Sequence, residues 1–117
     1  MTTIVTFGLF IGSILMGCVL TKLGKPYNTT LFTIHKIVAL GYCVMVGLLI
    51  KDQLIAESTN SVFLATIILL IISVLTLFAS GAMMSIGLSK NKSLQVTHLL
   101  GTISLVISNG MLLVITL

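Results

Sequence analysis

The sequence predicts an all-α integral membrane protein, an up-down-up-down four-helix bundle built from two repeated helical hairpins. The mean hydropathy is +1.28, and only 7% of the 117 residues are charged. A soluble domain carries about 25% charged residues, so this chain has too few charges to cover a surface in water. The apolar residues also fall into four stretches separated by short polar breaks. We therefore expect a lipid bilayer to surround one transmembrane domain covering residues 1–117.

The four apolar stretches predict helices at about 3–21, 30–50, 60–86 and 94–117. Each approaches or exceeds the ~20 residues that cross a hydrocarbon layer of ~30 Å. The first stretch is interpreted as a retained helix, because its lysines follow the apolar run, whereas those of a signal peptide precede it. Breaks this short force consecutive helices to be antiparallel neighbours.

The distribution of lysines predicts the orientation in the membrane. The breaks after the first and third stretches carry Lys22, Lys25, Lys90 and Lys92. The second break balances Lys51 with Asp52 and Glu57. The positive-inside rule then places the first and third breaks in the cytoplasm and both termini outside, in what we expect to be a bacterial inner membrane. The net charge of +4 is thus a topology signal, and binding of nucleic acid is not expected.

The chain also predicts an internal repeat, with copies at about 1–54 and 60–117. An offset of 63 residues aligns the only two histidines, His35 and His98. Each histidine lies in the same pattern, Asn-x-[Thr/Ser]-Leu-x-x-x-His, which begins at Asn28 and at Asn91. These two asparagines open helices, so we interpret their Asn-x-[Ser/Thr] triplets as helix caps rather than as glycosylation acceptors.

The matched histidines predict a binding site for one haem b per protomer. Helices 2 and 4 of an up-down bundle run parallel and lie on one diagonal. His35 and His98 both lie about 9 Å along their helices, at 1.5 Å per residue, and are expected to face each other at equal depth. That arrangement suits two axial ligands of one iron, so both histidines are the predicted metal ligands. Ionisable side chains inside a bilayer are functional candidates by default.

Other residues are expected to contact the same cofactor. Gly41 and Gly101 follow the histidines by one or two turns and leave room for a macrocycle. The lysines at the histidine end of the chain are predicted partners for the haem propionates; they are Lys25, Lys36, Lys90 and Lys92. The second ring nitrogens are expected to donate to the carbonyls of Leu31 and Leu94, or to the hydroxyl of Thr97.

Paired histidines on alternate helices of a four-helix membrane bundle resemble small b-type cytochromes and the haem core of respiratory cytochrome b. The resemblance covers the four-helix plan, His35 and His98. It implies an electron carrier, rather than a complete enzyme, that exchanges single electrons with a quinone or a redox protein. The respiratory proteins carry a second histidine further along each ligating helix; here those positions are Leu48, Leu49, Met111 and Leu112. The resemblance therefore implies one haem, near the cytoplasmic face.

Two alternatives remain open from the sequence. A small proton-coupled transporter would fit the length and the repeat, but the first helix lacks the membrane-embedded acid of such proteins. A non-catalytic subunit or assembly factor would use the histidines only for packing or hydrogen bonding. Further along the two histidine-bearing helices, Tyr42 is expected to be a core residue. Asn109 is expected either to form a hydrogen bond between helices or to contact a quinone. Gly8 and Gly12 also leave open a homodimer.

Overall fold

The computed structural model describes residues 2–24, 27–56, 60–88 and 91–116. Four long helices account for most of them: α1 (Thr2–Leu23), α2 (Thr29–Ile55), α3 (Ser61–Met83) and α4 (Lys92–Thr116). A π-helical turn, Met84–Leu88, follows α3. By length and composition, each of the four helices could cross a membrane. The prediction of an all-α chain with four long apolar helices is confirmed.

The largest difference from the predicted boundaries is at the end of α2. The sequence predicts an end near residue 50, whereas the helix continues to Ile55 through Lys51, Asp52 and Gln53. Polar residues of these types end a hydrophobic stretch without breaking a helix, because lysine and glutamine have good helix propensity. The predicted break therefore marked the end of the apolar run rather than the end of the helix.

Glycine and asparagine set the helix ends in both halves of the chain. Gly24 and Gly87 have positive φ angles of 73° and 104°, the conformation in which glycine ends a helix at little cost. Backbone N–H groups of Thr30 and Leu31 donate to the side chain of Asn28, at 2.9 and 3.2 Å. Asn91 receives the equivalent bonds at 2.9 and 3.4 Å. The interpretation of both asparagines as helix caps is confirmed.

The helices pack as two hairpins, α1 with α2 and α3 with α4. They belong to two compact units, Met1–Ala56 and Glu57–Leu117, each of which is described by itself. Short connections between apolar helices produce this antiparallel pairing. The predicted pairing of α1 with α2 and of α3 with α4 is thus confirmed, whereas the pairing of α2 with α3 and the assembly into one bundle stay predictions.

In the first hairpin, the buried side chains lie along one face of each helix, and those of α2 are spaced by four and three residues. They are Thr6, Phe10 and Leu20 on α1 and Tyr42, Val46 and Leu49 on α2. The rings of Phe10 and Tyr42 lie against each other, with centroids 5.6 Å apart. Tyr42 is therefore a core residue, as the sequence predicts.

The second hairpin has a more polar interface. The buried residues of α3 include Thr66, Ser73 and Ser80, which are spaced by seven. The hydroxyls of Ser73 and Ser104 form a hydrogen bond between α3 and α4 at 2.7 Å. Small hydroxyl side chains let two helix backbones approach closely and replace hydrophobic attraction where lipid surrounds the helices.

Candidate histidine sites

His35 lies on the second turn of α2, on the side that packs against α1. The Asn28 cap fixes the start of this helix and hence the direction in which His35 projects. The imidazole is half-buried and covers Gly17 of α1, where a β-carbon would lie 3.4 Å from Cε1 and 4.0 Å from Nδ1. His35 also interacts with the backbone of Ser13. Its Nδ1 atom is buried and has no hydrogen-bond partner among the described residues.

His98 has the corresponding place in the second hairpin. It follows the Asn91 cap by seven residues, as His35 follows Asn28. Its ring covers Gly81 of α3, where a β-carbon would lie 3.6 Å from Cε1. The Nδ1 atom of His98 forms a 2.8 Å hydrogen bond with the hydroxyl of Ser80. A metal-ligating histidine usually has such a bond at its second nitrogen, which fixes the ring.

Ser80 is the residue that sequence reasoning missed as a partner of His98. The predicted partner Thr97 instead donates its hydroxyl to the Ser93 carbonyl of its own helix, at 2.7 Å. The repeat offset aligns Ser80 with Gly17, but the sequence does not show that Gly17 lies beneath His35; that contact appears only in the packed helices. The ring of His98 contacts Ser80 and also covers Gly81, so the two hairpins do not match residue for residue at this point.

Of the four lysines predicted to contact the haem propionates, the structure describes Lys36 and Lys92, and their surroundings differ from each other. Lys36 is exposed on α2, and its Nζ lies 4.5 Å from the centroid of the Phe32 ring, which stacks on Tyr27. Lys92 is exposed at the first residue of α4. Lys25 and Lys90 lie outside the described residues. The described lysines Lys36 and Lys92 thus lie at the histidine end of their helices, and their contact with a cofactor stays a prediction.

The two glycines predicted to make room for haem contact the neighbouring helix of their own hairpin. A β-carbon on Gly41 would lie 3.7 Å from Leu9 Cδ1. One on Gly101 would lie 3.2 Å from Leu77 Cγ and 3.3 Å from Thr76 Cγ2. The space beside Gly101 is therefore filled by α3. Contact of either glycine with a cofactor stays a prediction.

Asn109 is buried in the second hairpin, and its side-chain amide donates to the carbonyl of Leu105 at 2.8 Å. An open apolar depression of about 330 Å³ lies around Gly110 and Val114, and Asn109 is not among the residues that line it. This depression is about 18 Å from His98 along the helix, at 1.5 Å per residue. It therefore belongs to the opposite end of the hairpin from the histidine.

The described residues contain no cluster of three or more histidine, cysteine or acidic side chains. Cys18 is exposed, Cys43 is half-buried, and both are free thiols. A closed zinc site needs about four protein ligands, and each described hairpin offers one histidine. The described residues of either hairpin therefore show no closed zinc site.

The chain matches no known protein family, and no curated protein or solved structure is similar to it.

Proposed function

We propose that this chain is an integral membrane b-type cytochrome in which His35 and His98 are the two axial ligands of one haem b. The observation that carries the proposal is the matched setting of the two histidines. Each follows an asparagine cap by seven residues and covers a glycine of the neighbouring helix. Histidines used only for packing have no need of the same spacing from a helix cap in both hairpins.

The surface of the hairpins supports a place in the bilayer. Large apolar side chains are exposed on every helix, among them Ile4, Ile37, Leu75 and Val114. Several helix hydroxyls donate to carbonyls one turn earlier in their own helix, as Thr66 does to Val62 at 2.8 Å and Ser108 to Ser104 at 2.8 Å. Polar groups satisfied in this way are compatible with a hydrocarbon environment.

The proposal includes an orientation, with both termini outside and the first and third connections in the cytoplasm. Lys22 is exposed in the last turn of α1, and Lys92 is exposed at the start of α4. Alkaline phosphatase fused after Leu117 is expected to be active in a bacterial host, whereas green fluorescent protein at the same place is expected to stay dark. Fusions after Lys92 are expected to give the reverse pattern. Reporters with the same sidedness at both positions would contradict the orientation.

The proposed chemistry is the transfer of single electrons. A bound haem b would alternate between ferrous and ferric iron, and with a histidine on each side it would have no open position for O₂. The chain's own contribution is to hold the two imidazoles, exclude water with its apolar helices and offer Lys36 and Lys92 to the propionates. The partner that donates or accepts the electron would be a quinone or a redox protein.

Titration of the purified protein with haemin in mild detergent tests the proposal. We expect saturation at one haem per chain and a low-spin spectrum. Cys18→Ser and Cys43→Ser are the matched controls, because a thiolate is another axial ligand of haem iron. Both variants are expected to titrate like the wild type. A protein that stays colourless after haemin is added and excess is removed would refute the proposal.

A second candidate function is a membrane subunit in which the histidines only join helices. The hydrogen bond between Ser80 and His98 favours it, because polar contacts of this kind hold helix pairs together in membranes. A subunit of this kind is expected to bind no haemin specifically. Replacing Ser80 or His98 is expected to lower the stability of the second hairpin. The titration separates the two candidates.

A further inference from the structure

The hydroxyl of Ser80 lies close to three polar atoms but has only one hydrogen to donate. Its Oγ is 2.7 Å from the carbonyl oxygen of Thr76, 3.3 Å from that of Leu77 and 2.8 Å from Nδ1 of His98. A carbonyl oxygen only accepts hydrogen bonds, whereas a neutral imidazole nitrogen either donates or accepts, depending on the tautomer. Ser and Thr hydroxyls inside helices commonly donate to the carbonyl one turn earlier. Ser73, one heptad before Ser80, does so at 2.7 Å.

We propose that Ser80 is a positioning residue that holds His98 in the tautomer with its proton on Nδ1. The serine hydrogen points to the Thr76 carbonyl, so the lone pair of Oγ accepts the Nδ1–H of His98. The lone pair of the imidazole is then on Nε2, the nitrogen that would bind haem iron. The role of Nε2 in binding haem iron depends on the function proposed above, whereas the assignment of the tautomer does not.

The first hairpin lacks this arrangement, which makes the two histidines unequal. The repeat places Gly17 where the second hairpin has Ser80, and a glycine has no hydroxyl. The Nδ1 atom of His35 is buried there without a hydrogen-bond partner among the described residues. The β-carbon of a serine at position 17 would lie in van der Waals contact with the ring, 3.4 Å from Cε1 and 4.0 Å from Nδ1. The Ser80 hydroxyl therefore distinguishes the surroundings of His98 from those of His35, whose ring interacts with the backbone of Ser13.

The tautomer is measurable without any cofactor, by ¹⁵N NMR of the full-length protein labelled at histidine and held at a pH where the imidazoles are neutral. The chain has only two histidines, so His35→Gln assigns the remaining signals to His98. We expect the wild-type Nδ1 of His98 to show the shift of a protonated nitrogen and Nε2 that of an unprotonated one. Ser80→Ala is expected to lose this pattern and Ser80→Thr to keep it. A wild-type His98 protonated on Nε2, or a pattern unchanged in Ser80→Ala, would overturn the proposal.

The haem-loaded protein gives a second readout. A hydrogen bond at the second nitrogen raises the basicity of a ligating histidine, and losing it costs about tenfold in metal affinity. We expect Ser80→Ala to weaken haem binding about tenfold and to raise the midpoint potential, because a less basic imidazole stabilises ferric iron less. Gly17→Ser is expected to lower the potential. A tenfold change in the relative affinity for ferric and ferrous haem corresponds to about 59 mV.

The proposed function and the proposed role of Ser80 can be contradicted independently of each other. A wild-type protein that binds no haem refutes the proposed function, and the NMR result then still decides the role of Ser80. A haem-binding protein whose potential is the same in wild type, Ser80→Ala and Ser80→Thr overturns the positioning role toward the haem. The Ser80→Thr variant keeps the hydroxyl, so any effect that it shares with Ser80→Ala comes from packing rather than from the hydrogen bond.

Discussion

Replacing His35 or His98 with alanine is expected to abolish stoichiometric haem binding. Each substitution removes one of the two proposed axial ligands, and iron held from one side only changes from low to high spin and dissociates more readily. The visible spectrum of the protein, purified after expression with added haem precursor, is the measurement. We expect less than about a tenth of the wild-type haem content in either variant, since loss of one ligand exceeds the 10–100-fold cost of losing a supporting contact.

Matched controls separate a lost ligand from a damaged hairpin. Thr97→Ala changes the neighbour of His98, whose hydroxyl bonds only within its own helix in the described contacts, and is expected to keep the full haem content. His98→Gly supplemented with free imidazole is expected to regain the low-spin spectrum, because the small ligand occupies the cavity left by the side chain. A normal low-spin spectrum in either alanine variant would contradict the axial assignment.

Gly101→Leu is expected to destabilise the second hairpin by about 1–3 kcal/mol, the usual cost of overpacking a filled interface. A β-carbon at this position would already lie 3.2 Å from two carbon atoms of Leu77 and 3.3 Å from Thr76. The larger side chain must therefore push α3 and α4 apart. Thermal unfolding in detergent, followed by circular dichroism, is expected to show a lower midpoint than the wild type.

Gly110→Leu is the control for that substitution. The same α4 helix carries Gly110, but a β-carbon there would meet nothing within 4 Å. Both substitutions replace a helical glycine and share the same gain in helix propensity, about 0.8–1 kcal/mol, so Gly110→Leu is not expected to lower the unfolding midpoint. Equal unfolding midpoints for the two leucine variants would show that the close contact between Gly101 and α3 does not stabilise the hairpin.

The sequence predicted the helices well because lipid-facing helices need long apolar runs, and such runs are visible without any tertiary information. The asparagine caps Asn28 and Asn91 marked the starts of α2 and α4 at positions close to those observed. The end of α2 was missed because Lys51, Asp52 and Gln53 change the polarity of the chain without changing its conformation. Hydropathy locates the hydrocarbon boundary, and a helix has no need to end there.

The candidate sites were predictable in part. The equal spacing of His35 and His98 from their caps was readable from the repeat, and so was their shared end of the hairpins. The hydrogen bond to Ser80 was not, because it depends on which residue of α3 meets the ring, and a sequence pattern does not fix the rotation of one helix against another. The repeat offset itself pairs Gly17 with Ser80, whereas the glycine beneath His98 is Gly81. The glycine beneath His98 is thus one residue further along than the repeat offset predicts, and only the packed helices show this.

The reduced-minus-oxidised visible spectrum of the wild-type protein, purified from membranes in mild detergent, tests the central claim most directly. Two histidine ligands predict a sharp, split change in the Soret and α bands on addition of dithionite, typical of low-spin haem b. Its amplitude is expected to correspond to one haem per chain. A colourless protein, or a pigment whose bands are those of high-spin haem, would contradict the account of His35 and His98 as joint ligands.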